Sequence, residues 1–357
     1  MSPAERRAKG ETVSSVLRGA WRDDPPPLDI SADELEEIAP LLLATGAAAL
    51  CWRRVRHSRL RDSAAGVRFH QALRLQAIRV RIVKDHIERV IELLCSAGVE
   101  PILVKGWAAE RLYPERGLRP AGDIDLCVEP RHYREAASVL SAPAAQQFYV
   151  DLHRGFDELG GRSWGELYAR SRLVRLGHTD VRVLGDEDHF QVVCFHMLRE
   201  GAWRPLWLCD VAVSLESPHA SFDWKRCLSG SKRSLEVTSC AVGLARKLLG
   251  AGVEGIPSEA AVDRLPSWVV PTVLEEWGTL LPSLRRRHSA PMSTYLRRPL
   301  ALGKAFIDRW PNPIEATVVA GAPFNEFPRG PYQIKSYILR GLSFLRKLVT
   351  QLLGIHD

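Results

Sequence analysis

Lysine is scarce in this chain of 357 residues: nine of its 49 basic side chains are lysine and the other forty are arginine. A GC-rich coding bias accounts for part of that preference, so the net charge of +7 permits a nucleic-acid, membrane or phosphorylated partner without requiring one. Paired cysteine motifs are missing too. The seven cysteines are odd in number, dispersed and never spaced CxxC, which argues against a disulfide framework and a structural zinc site and suits a reducing cytoplasm. No uncharged apolar run reaches the length of a membrane span, and the polar start from Met1 to Gly10 lacks a secretory signal's apolar stretch, so a soluble protein is expected. Internal repeats and long low-complexity tracts are also absent. Apolar side chains make up 46% of the chain, enough for a substantial core in two or three structural units.

The segment Asp23-Asp24-Pro25-Pro26-Pro27 cannot continue a helix, and residues 1–30 read as a flexible N-terminus. Ser31 and Glu34 form a capping-box pattern ahead of Ile38, Leu41 and Leu42, opening an N-terminal helical region over 31–98. Within it Leu75, Ile78, Ile82, Ile87, Val90, Ile91 and Leu94 recur at helical spacing, and Gly98 supplies the stop. Shorter apolar runs follow. Residues 101–104, 124–128, 148–152 and 181–184 read as strands, with short helices over 106–112 and 131–140, giving an α/β core over 99–185. From 186 to 357 helical spacing returns, in 190–198, 207–215, 237–249 and 334–353.

The chemistry centres on Gly122-Asp123-Ile124-Asp125. Strand side chains alternate, so Asp123 and Asp125 project from one face, where two carboxylates repel unless a hard cation such as Mg²⁺ lies between them. Alone, a DxD at a strand end is equally a solvated edge or a turn. Lys105-Gly106 adds a second signal, because a strand-to-helix turn with a glycine permits close backbone approach and the lysine offers a point charge to a triphosphate. An ordinary turn with a surface lysine remains the other reading. Asp151, in the strand-like Tyr149-Val150-Asp151-Leu152-His153, is the candidate third carboxylate. His153 shares its face, either to contact a phosphate or move a proton, or as a structural histidine. Arg119 would stabilise phosphate charge or pair with Asp123 or Asp125.

Leu103-Val104-Lys105-Gly106, Leu112-Tyr113-Pro114, Arg119 and Asp123-Ile124-Asp125-Leu126 together resemble the uncharacterised bacterial nucleotidyltransferase family of the polymerase-beta-like superfamily. The likeness continues through Val150 to His153, Asp188 to Leu198, Trp207 to Asp210 and Phe222 to Trp224, and so covers roughly residues 30 to 260. It implies an α+β fold, with a small mixed-sheet nucleotidyltransferase core flanked by N-terminal and C-terminal helical regions. It also implies Mg²⁺ or Mn²⁺ held by Asp123, Asp125 and Asp151, with Lys105, Gly106, Arg119 and His153 toward an NTP such as ATP. The reaction implied moves an NMP group to a hydroxyl or phosphate acceptor, a small molecule or protein ahead of nucleic acid, and releases pyrophosphate. One departure stands out: Trp107 occupies the position where most of the superfamily has serine. The alternative is therefore a catalytically weak nucleotide-binding module acting through a partner protein.

Two other features carry expectations. His189 and His196 lie seven apart on a predicted helix that reads as core rather than as a metal site, and Asp210 reads as a buried hydrogen-bonding residue. The last helix places Ile334, Ile338, Leu342, Leu345, Leu348 and Leu352 on one side. That side is expected to pack onto the body, not to attach to a membrane.

Overall fold

The computed structural model describes residues 1–120, 122–159, 161–217, 222–252, 255–258, 263–279 and 309–352, the side chains of 157 and 343–352 excepted. Four helices precede the sheet: α1 (Pro3–Leu17), α2 (Ala32–Thr45), α3 (Ala48–Val55) and the long α4 (Ala64–Ser96). The sheet strands are β1 (Ile102–Val104), β2 (Ile124–Val128), β3 (Val150–Arg154), β4 (Arg172–Leu176) and β5 (Thr179–Val183), interleaved with α5 (Gly106–Glu110), α6 (Tyr133–Ser141) and α7 (Trp164–Arg170). Then come α8 (Asp186–Arg199), α9 (Pro205–Glu216), α10 (Trp224–Leu228), α11 (Lys232–Leu249), α12 (Val269–Trp277), α13 (Pro313–Ala320) and α14 (Gly330–Leu352). None of the described helices is long and apolar enough to cross a membrane.

The strands form one mixed sheet in the order β3-β2-β1-β5-β4. β1 pairs antiparallel with β2 and parallel with β5, β2 pairs parallel with β3, and β4 and β5 form an antiparallel hairpin. This is the α+β arrangement with helical flanks that the sequence led us to expect. Alternation along the strands gives the sheet two unlike faces. On one, Leu103, Leu126 and Val181 pack against Ile87, Val90, Ile91 and Leu94 of α4. On the other, Ile102, Val104 and Cys127 meet Leu167 of α7 and Val192 of α8. β4 has no counterpart among the predicted strands, because its alternating Arg172-Leu173-Val174-Arg175 lies at the sheet edge, with Leu173 61% exposed and little apolar content to signal it.

The reading of residues 1–30 as flexible is overturned. Ser2 and Glu5 form a complete capping box that starts α1, and Val13, Val16, Leu17 and Trp21 are buried in the helical core. α1 packs closely on α12, where a Cβ at Gly10 would run into the backbone of Leu274. The Pro25–Pro27 segment breaks the helix without detaching it. Trp21 Nε1 donates to Glu216 at 2.8 Å, which ties the end of this segment to α9.

The expectation for the last helix also reverses. α14 rests on α13 by its polar side: Ser336 is fully buried, Gln333 donates to the Pro311 carbonyl at 2.8 Å, and Lys335 donates to the Ala320 carbonyl at 3.0 Å. Ile334, Ile338 and Leu342 face outward. Helical periodicity finds an apolar stripe but does not say which side of the helix packs. Leu345, Leu348 and Leu352 lie outside the described side chains.

Candidate metal and phosphate site

In the parallel pairing of β2 with β3, Asp125 stands beside Asp151 and Cys127 beside His153. Residues two apart share a face, so Asp125, Asp151 and His153 all project on the side of the sheet covered by α7 and α8. Their ligand-capable atoms lie within 4.8 Å of one another. His153 Nε2 is 3.2 Å from Asp125 Oδ1 and 3.3 Å from Asp151 Oδ2, bridging the two carboxylates. Asp151 is the open member, with 54% of its side chain exposed against 9% for Asp125.

Lys105 approaches from the end of β1. Its Nζ donates to Asp125 Oδ1 at 2.9 Å, with both side chains largely buried. Burial opposes charge on each partner, but the hydrogen bond from His153 and the lysine charge hold the Asp125 carboxyl below the usual carboxylate range. Burial likewise opposes the Lys105 ammonium, and the Asp125 carboxylate outweighs it and raises the lysine. Both groups are therefore ionised at neutral pH. The turn that delivers Lys105 is unusual, with φ 51° and ψ −134° at a residue that has a Cβ, a strain on the order of 1–3 kcal/mol. Gly106 follows at φ 24°, where a Cβ would come within 3.4 Å of the Asp123 carbonyl. That is an ordinary contact distance, so what favours glycine in this turn is its positive φ, which residues with a Cβ rarely adopt.

These residues open into a cavity of about 240 Å³. Lys105, Gly106, Asp123, Asp125, Asp151 and His153 line one side of it. Asp123 is exposed at the cavity and does not belong to the cluster formed by Asp125, Asp151 and His153. The opposite wall comes from the C-terminal helical region: His196, Arg199, Glu200, Arg204 and Trp207. Both of its arginines are anchored, Arg199 to Glu158 at 3.2 Å and Arg204 to the Thr45 carbonyl at 2.6 Å.

Arg119 lines the cavity, and the carboxylate it pairs with is neither of the two that the sequence offered. Its guanidinium forks onto Asp210, Nε to Oδ1 at 2.8 Å and Nη2 to Oδ2 at 2.9 Å, and it does not pair with Asp123 or Asp125. Tyr113 Oη also donates to Asp210 Oδ1 at 2.8 Å. Burial would lower the Arg119 pKa, yet the paired carboxylate raises it. Asp210 is thus the buried hydrogen-bonding residue the sequence suggested, and its partner is the motif arginine.

His196 is the residue the sequence reading missed. It reads as one position in an apolar helix, as His189 does, but only His189 is core, 3% exposed. The His196 ring meets Trp207 edge-on at 4.7 Å and borders the cavity. Burial, aided by the Lys105 charge, pushes its pKa down to about 3, which keeps the imidazole neutral. No sequence signal separates the two histidines, because spacing of seven puts both on one helix face. Trp107 turns the other way. It lines a second, larger cavity of about 590 Å³ between α4, α5 and the β4–β5 turn, so its indole does not fill the phosphate-facing space.

Two carboxylates on paired strands are thus faced by a lysine-bearing turn and by the arginines of α8 and its following loop, and the sequence match supplies the class to which this arrangement belongs. The chain belongs to the family described as uncharacterised nucleotidyltransferase, whose model matches residues 31–250. No curated protein and no solved structure matches the chain.

Proposed function

We propose that the chain moves a nucleoside monophosphate from an NTP, ATP being the simplest choice, to a hydroxyl or phosphate oxygen of an acceptor, preferably a small molecule or a protein. The acceptor oxygen bonds to the α-phosphorus as the bond from that phosphorus to the α,β-bridging oxygen breaks, and pyrophosphate departs with the electron pair. The observation that carries this reading is the side-by-side placement of Asp125 and Asp151 with His153 between them, opposite Lys105.

The donor set fits a divalent cation, since two carboxylate oxygens suit a hard ion and the imidazole tolerates Mn²⁺ better than Mg²⁺. Asp125 and Asp151 would hold it, joined by Asp123 from the cavity mouth. Magnesium bound there supplies charge neutralisation for the phosphate oxygens and lowers the acceptor hydroxyl's pKa. Asp151, the most exposed of the trio, has the room to take the hydroxyl proton. His153 holds both carboxylates in place. Lys105 exchanges its contact with Asp125 for a phosphate oxygen, and the glycine turn lets the triphosphate approach the backbone. Arg119 acts through Asp210 by fixing the wall on which the substrates rest.

Incubation of the protein with each α-labelled NTP, Mg²⁺ or Mn²⁺, and a cell extract tests the proposal. Label should pass to an acceptor with stoichiometric pyrophosphate, and Asp125→Asn should not support transfer. NTP binding without pyrophosphate release under all these conditions would reject it in favour of a binding module acting through a partner.

A further inference from the structure

Trp107 borders a cavity that the transfer chemistry does not use. Its volume of about 590 Å³ falls within the roughly 300–1,000 Å³ of small-molecule sites. It opens on the α4 side of the sheet, away from Asp125 and Asp151, and shares no lining residue with the cavity at Lys105. Glu110 forms part of its wall. That side chain is only 4% exposed, yet among the described residues its carboxylate accepts no hydrogen bond, and its ion-pair partner Lys84 stands 3.6 Å away, beyond hydrogen-bonding reach. Two more lining residues hold orphaned atoms, since the Trp107 indole N–H and the Arg111 Nε are buried without a partner. Buried polar groups are ordinarily satisfied, so three such residues around one cavity point to a ligand that completes them.

The lining indicates the chemistry of that ligand. Five arginine and lysine side chains stand against three acidic ones. Arg199 and Arg204 in the other cavity are anchored, whereas two of these arginines are uncommitted. Among the described residues the exposed Arg116 side chain makes no hydrogen bond or ion pair, and the half-buried Arg111 side chain makes none at close range. Burial pushes the Arg111 guanidinium below its usual range, and the charge of Asp186 does not make up the loss. Two unmatched guanidinium forks suit a phosphate, which offers oxygens to both. Glu110 can only accept hydrogen bonds, so it calls for hydroxyl or amino donors on the same molecule. We infer that this cavity binds a small phosphate ester bearing such donors, its phosphate toward Arg111 and Arg116 and its hydroxyl or amino groups toward Glu110. Sugar phosphates and mononucleotides share that chemistry. The inference is independent of the catalytic reading.

The test is calorimetric titration of the full chain, without divalent cations, using ribose 5-phosphate, AMP and inorganic phosphate as probes. At least one ester should bind with a Kd below about 1 mM and about tenfold more tightly than inorganic phosphate. A preference for ribose 5-phosphate makes the site one for sugar phosphates, a preference for AMP one for nucleotides, and either supports the inference. Arg116→Ala should weaken the ester about tenfold and leave the melting curve unchanged, because this side chain is exposed and holds nothing else in place. Glu110→Gln should weaken the ester and not inorganic phosphate, and Lys105→Ala should leave ester binding as it is. Absence of heat from both esters overturns the inference. So does inorganic phosphate bound as tightly as the esters, which makes this an adventitious anion site, or ester binding lost in Lys105→Ala and kept in Arg116→Ala, which moves the phosphate to the other cavity.

Discussion

Arg119 and Lys105 each hold a buried aspartate at under 3 Å, but the two pairs differ in what they leave available. Arg119 engages both oxygens of Asp210, and Tyr113 adds a third donor, so that carboxylate is saturated and closed off. Lys105 is a point charge on one oxygen of Asp125, with His153 beside it and the exposed Asp151 one strand away. A planar fork locks its partner, whereas an ammonium can exchange one anion for another at small cost. The comparison separates scaffold from chemistry within a single cavity, where residue type alone would have grouped all four charges together.

The difference can be broken from either side. Asp125→Asn keeps the volume and removes the charge at the reacting centre. Transfer should fall on the order of 10³-fold, read by pyrophosphate release, with circular dichroism unchanged; an active variant would remove Asp125 from the chemistry. Arg119→Leu should act on stability instead, costing about 3–5 kcal/mol by stranding the Asp210 carboxylate in the interior, and Arg119→Leu with Asp210→Leu should recover most of that loss in denaturant titrations. If the single change lowers turnover at full stability, Arg119 contacts substrate and its assignment to the wall is wrong. Lys105→Ala should weaken NTP binding about 10- to 100-fold, with a smaller effect on melting, as calorimetric titration would register. Collapse of the melting curve with normal affinity would make Lys105 the structural partner and invert the comparison.

The smallest effect is in the pH dependence. Asp125 titrates below the ordinary carboxylate range, so the stability it contributes is complete above that range and is lost as acid carries the pH down through its lowered value. Lys105 titrates above the ordinary lysine value, so its share is complete below that value and disappears as pH climbs through the raised one. Subtracting the urea stability of Asp125→Asn from that of wild type at each pH should give a plateau falling at both ends. A flat difference would mean that the pair contributes nothing to folding.

Much of this site was legible before any coordinates. Asp123-Ile124-Asp125 falls where a strand begins, the β2 bounds agree with the apolar run, and the period of two along Tyr149–His153 puts Asp151 and His153 on one face. What stayed hidden depends on distance along the chain. Arg119 finds Asp210 across 91 positions, and His196 reaches the cavity only because α8 folds back over the sheet. Neither leaves a local pattern. The proline run after α1 suggested a loose leader, while Val13, Val16 and Leu17 gain their burial from helices far away in sequence. In α14 the periodicity itself was right, but periodicity describes a stripe and is silent about its neighbour.

The pairing of β2 with β3 has a consequence for how this family can vary. Asp125 meets Asp151 only while the two strands keep their present alignment, and a slip of one residue would send the carboxylates to opposite sides of the sheet. The exposed residues 142–144, between α6 and β3, are under no such rule. Insertions or deletions there should be tolerated freely, whereas a single residue gained or lost inside either strand would silence the enzyme with hardly a change in its composition.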